Sequence, residues 1–92
     1  MAFMLTRIKV EDYDAWKPIF DSDHPGARKA AKGHRILRGV EESNEVFVQV
    51  EFASSDDAKA ARERLLASGV LDRVTVKAGP TIAEEAETVE HR

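Results

Sequence analysis

Glu45-Val46-Phe47-Val48-Gln49-Val50-Glu51-Phe52, followed by Ala53-Ser54-Ser55-Asp56-Asp57-Ala58, is the stretch whose reading decides the fold. Val46, Val48, Val50 and Phe52 alternate without interruption, which predicts a strand with one buried face. Ser54 or Ser55 then offers a hydroxyl to cap a helix. Asp56 and Asp57 fall in the first turn, where the helix dipole favours negative charge. Ala58, Ala61 and Leu65 recur at helical spacing as an inward stripe, and Gly69 ends the helix.

Upstream, residues 34–41 form a second strand joined to 45–52 through a polar turn at Ser43-Asn44. With those two residues as the loop, Glu41 lies opposite Val46 and Leu37 opposite Val50. The second face of the pair then combines Ile36, Arg38 and Val40 with Phe47, Gln49 and Glu51, a mixed surface. A one-residue slip in register exchanges the two faces. Residues 2–10 read as the first strand, with Phe3 and Leu5 alternating against Met4, Ile8 and Val10. Asp12 is placed to cap a helix on which Tyr13, Trp16 and Phe20 share a face. Pro18 lacks an N–H and kinks that helix or confines it to a short first piece. The run 21–26, rich in cap and turn residues, breaks it. The alanine-rich residues 27–32 resume the helix, Gly33 stops it, and the joint falls at His24.

Downstream, residues 73–78 form a short fourth strand that Gly79-Pro80 closes. Thr81 and Glu84 suit a capping box for a final acidic helix, with a tail strand as the alternative. The order is βαββαβ, in one domain over residues 1–92, with 81–92 as an acidic tail.

The totals narrow the function. Hydrophobic residues at 42% and charged residues at 34% describe an ordinary globular chain. There is no cysteine, which removes disulfides, thiolate metal sites and a cysteine nucleophile. Residues 1–10 are too short and too polar for a signal peptide or a membrane span, so a cytoplasmic protein is the default expectation. Glu84, Glu85, Glu87 and Glu90 against Arg92 account for the whole net charge of −3. A neutral body with an acidic tail suits nucleic acid poorly. An RNA-recognition reading also fails locally. Asn44-Glu45-Val46 stands where basic and glycine residues belong, and the first strand lacks the matching motif.

Val10-Glu11-Asp12-Tyr13-Asp14-Ala15-Trp16 leading into Phe20, the strand end Val48-Gln49-Val50-Glu51-Phe52 and the helix start Ser55-Asp56-Asp57-Ala58-Lys59 together resemble the dimeric α+β barrel superfamily of ferredoxin-like domains. That superfamily includes the antibiotic-biosynthesis-type monooxygenases, and the resemblance covers residues 1 to about 80 in order and spacing. It implies a ferredoxin-like α+β sandwich with an antiparallel sheet. Helices cover one sheet face, and the other packs on the sheet of a second copy and encloses a pocket. Haem degradation is not implied, because residues 56–68 carry neither the Trp nor the His of the haem-degrading members.

The resemblance implies a homodimer that binds a small aromatic or polyketide-like molecule. Cofactor-independent oxygenation, cyclisation or isomerisation are the associated reactions, and a non-catalytic dimeric ligand-binding or structural module is the alternative. Tyr13, Trp16, Phe20, Ile36, Phe47 and Gln49 are the candidate pocket residues, with core packing as the competing role of the aromatic three. Arg38 is a candidate clamp for a carboxylate, phenolate or enolate, and a cross-strand salt bridge to Glu51 is its simpler role. His24 and His34 are candidate proton acceptors, or ordinary surface and capping histidines. Asp21, Asp23 and His24 lie close together but suit a turn, so no metal site is expected. No cofactor motif or nucleophilic triad is present.

Overall fold

The structure, a computed structural model, describes residues 1–91. Strand β1 (Ala2–Lys9) is followed by helix α1 (Tyr13–Ser22), strands β2 (Ala31–Arg38) and β3 (Glu45–Phe52), and helix α2 (Ser55–Ser68). A short 3₁₀ helix (Val70–Arg73) then leads into strand β4 (Thr75–Glu84). The four strands make one open antiparallel sheet in the order β2-β3-β1-β4. This mixed α+β arrangement is compatible with a ferredoxin-like fold.

The core lies between the sheet and the helices. Met4 and Ile8 of β1 join Val46, Val48, Val50 and Phe52 of β3 under Ala58 and Ala61 of α2. The β3 alternation therefore does what its sequence predicts, burying every second side chain. Ser54 caps α2 by accepting the Asp57 N–H at 3.1 Å. Gly69 takes the left-handed conformation (φ 74°) that ends it. Asp12 caps α1, its carboxylate accepting the Asp14 N–H at 3.0 Å.

Three expectations are corrected. Residues 27–32 do not resume a helix: Ala27 to Ala30 are turns, and β2 already begins at Ala31. Six residues after Pro25-Gly26 are too few to repay helix nucleation. The Asp23 carboxylate instead accepts the Arg28 N–H at 3.1 Å and folds the connection back, so that Ala27 enters the core and Ala31 pairs with Phe52. Gly33 accordingly lies within β2 opposite Glu51 and does not end a helix.

The β2–β3 register also differs. Leu37 pairs with Phe47, Ile36 with Val48 and Arg38 with Val46, three residues from the expected alignment. The connection is the longer loop 39–44, closed by Gly39 N–H to Glu45 O (2.9 Å) and Glu45 N–H to Glu42 O (3.1 Å). Asn44 fastens it to the start of α1, accepting from Val10 N–H (2.9 Å) and donating to Glu11 O (3.2 Å). An odd slip turns β2 over. His34, Ile36 and Arg38 thus share the helix-covered face with Val46, Val48 and Val50. Leu37 lies with Phe47 on the open face.

Gly79-Pro80 does not close β4. The strand runs on to Glu84, pairing Thr81 with Leu5 and Ile82 with Met4, with irregularities beside Arg7. The tail-strand alternative is therefore the observed one for residues 81–84, since the free edge of β1 offers pairing that an isolated acidic helix lacks. Residues 85–91 carry no helix or strand, and Arg92 lies outside the described residues.

Candidate functional site

α1 presents Tyr13, Trp16 and Phe20 towards the sheet, yet none of its residues is fully buried. The three rings form a staircase, with centroids 5.8 Å apart for Tyr13–Trp16 and 5.0 Å for Trp16–Phe20. Its outer side rests on β2. His34 meets Phe20 edge-on at 5.2 Å, and the Arg38 guanidinium lies 4.0 Å above the Tyr13 ring. Arg28 stacks on Phe20 at 3.9 Å, donates to the Phe20 carbonyl and lies beside Asp23, with Nε to Oδ1 at 3.6 Å.

Between this staircase and α2 the sheet is left uncovered by helix, and a cavity of about 340 Å³ opens there. Its floor is Met4, Thr6 and Ile8 of β1 with Val48 and Val50 of β3. Trp16, Ile19 and Phe20 form one wall, and Leu65, Val70 and Leu71 the other. Glu11, Asp12 and Arg73 supply charge to the lining, together with the Asp23–Arg28 pair. A mostly apolar hollow with a few polar groups has the character of a small-molecule site, at the small end of the usual size range.

Thr6 is the polar group in the floor. Its hydroxyl makes no hydrogen bond with any described residue, and it has no partner on β4, where the ladder is irregular. The sequence carried a signal for it: among the inward positions Ala2, Met4, Thr6, Ile8 and Val10, only one is polar.

The sequence-predicted residues divide. Trp16 and Phe20 line the cavity. Tyr13, Ile36, His34 and Arg38 belong to the same side of the sheet but stand outside the lining, under or beside the staircase. Arg38 donates to the Ser43 carbonyl at 3.0 Å; its expected partner Glu51 lies on the opposite face. His24 is exposed in the turn after α1. Asp21 is held by Lys17 at 2.7 Å along α1 and Asp23 accepts from Arg28 N–H, so the first carboxylate serves the helix and the second the turn. Phe47 and Gln49 are on the open face, with Arg7 beside the Phe47 ring at 5.6 Å and bonded to Glu45. The expected mixed pocket face is thus split between two sides of the sheet.

Sequence reasoning missed Thr6, Ile19, Val70, Leu71 and Arg73. The last three lie on the 3₁₀ helix, which the sequence reading did not separate from the approach to β4. No helix among the described residues is long and apolar enough to cross a membrane. Compared with known proteins, the sequence matches no family model and no curated relative.

Proposed function

We propose that this chain is a small-molecule-binding protein of the dimeric α+β barrel kind, holding an aromatic or polyketide-like ligand between α1 and the sheet. The observation that carries the reading is the mostly apolar cavity of about 340 Å³ with an unbonded hydroxyl in its floor. Apolar walls supply affinity, and a few placed polar groups fix orientation.

Binding is favoured over catalysis by one observation. His24 and His34, the expected proton acceptors, stand outside the lining, and so does Arg38. A cofactor-independent oxygenation, cyclisation or isomerisation here would depend on Glu11, Asp12 or Thr6 for its proton handling.

The open face supports the homodimer. Phe3, Leu5, Phe47 and Leu37 share it, and Leu37 is 44% exposed. Arg7 and Arg35 are interspersed there with Glu45 and Glu51, so the face carries both signs of charge and suits a self-complementary contact.

Non-denaturing mass spectrometry of the purified protein tests both parts. The expected result is a dimer carrying a retained small molecule. A monomer at low micromolar concentration removes the sheet-to-sheet assembly. Retention of the same added mass by Leu71→Trp, which fills the cavity, moves the ligand elsewhere.

A further inference from the structure

The two arginines of the cavity differ in what holds them. Arg28 is committed: Asp23 flanks it, the Phe20 carbonyl accepts from it and the Phe20 ring lies under it. The side chain of Arg73, at the end of the 3₁₀ helix, makes no hydrogen bond, ion pair or ring contact with any described residue. It lines the cavity and also the shallow groove outside, where Lys9 and Lys77 stand beside it. The acids nearby are Glu11, which lines both hollows, Asp12 and Asp72. Asp12 is occupied as the α1 cap, and Glu11 does not reach Arg73 in an ion pair.

From this arrangement we infer that the ligand is an amphipathic carboxylate, its apolar body on Met4, Ile8 and Val48 and its carboxylate on the Arg73 guanidinium. The inference rests on the cavity being the binding site. Guanidinium groups pair with carboxylates in a planar, two-point geometry that a lysine does not offer. Burial of the chain supplies most of the affinity and the rim charge selects the head group.

Trp16, the only tryptophan, lines the cavity and reports on occupancy through its emission. The experiment titrates the full chain at low ionic strength with decanoate and with decanol, which differ in the head group. Both are expected to shift Trp16 emission, with decanoate bound about threefold to fivefold more tightly, as suits a partly solvated charge contact. Arg73→Gln should erase that preference and leave decanol binding unchanged. Glu11→Gln, which removes a like charge, should enlarge it. Salt should weaken decanoate selectively.

Equal affinities for the two probes in the unaltered protein, or a preference that survives Arg73→Gln, overturn the carboxylate assignment and leave the cavity as the site. Failure of both probes to move Trp16 emission overturns the amphipathic-chain assignment; the binding function then stands or falls on the retained mass and its loss in Leu71→Trp.

Discussion

Replacing Thr6 with valine removes a hydroxyl and keeps the shape of the side chain. Thr6 projects from β1 between Met4 and Ile8, opposite Val48, into the cavity floor. Moving a hydroxyl from water to apolar surroundings without a partner costs about 1–3 kcal/mol by mutational measures. Thr6 is half-buried, so its hydroxyl keeps part of its hydration and the cost falls at or below the lower end of that range, roughly 0.5–1 kcal/mol. Valine suits a strand at least as well as threonine. Thr6→Val is therefore expected to stabilise the protein, raising Tm by about 2–8 °C for a domain of this size. The assay is paired thermal and urea unfolding, with an unchanged m-value to show that the unfolded state is the same. A loss of more than about 1 kcal/mol would mean that the hydroxyl is bonded in the folded protein, and would refute the reasoning. A gain in stability with weaker binding of the retained ligand is what a polar group kept for recognition produces.

Phe52→Ala empties the site of a fully buried ring (0% exposed) at the end of β3 and should cost about 3–5 kcal/mol, read as a fall in the urea midpoint. Gly79→Ala places a side chain at φ 83° against the Leu5 carbonyl, and a loss of about 1–3 kcal/mol by thermal unfolding is expected. Arg38→Ala removes a guanidinium from above Tyr13 and should lower stability by at most about 1 kcal/mol. Its ligand affinity by Trp16 emission should be unchanged, and a clear loss would restore Arg38 as a clamp.

How much was legible depends on whether a residue's role was local. β3, a serine cap at Ser54 or Ser55, the Asp12 cap and the Gly69 stop were all readable, because alternation and capping act within a few residues. The face of β2 was not. It depends on the length of the loop 39–44, which is set by Asn44 reaching the backbone at Val10 and Glu11 more than thirty residues earlier. That tie moved His34, Ile36 and Arg38 to the helix side and parted them from Phe47 and Gln49. Likewise, alanine at residues 27, 30 and 31 argues for helix in isolation. Pairing of Ala31 with Phe52 and burial of Ala27 override that preference. Trp16 and Phe20 could be placed against the sheet because aromatic rings on one helix face must meet it whatever its register.

The cavity follows from a mismatch between the two helices. α2 turns Ala58 and Ala61 to the sheet, 0% and 3% exposed, and such small side chains let its backbone come close. α1 turns rings to it instead, and rings hold a helix at a distance. Their contacts fall to one side, Phe20 against His34 and Tyr13 beneath Arg38, so α1 is propped over the edge strand β2. The central strands β1 and β3 lie between a helix held close and a helix held off. The side chains they present there, Thr6, Ile8, Val48 and Val50, are too short to fill the gap. A larger residue at Thr6 would close it and add buried area to a small domain with little to spare. A threonine there, with its hydroxyl unbonded, leaves the space open and gives it a polar point. Those are the two properties a binding site needs and a core does not.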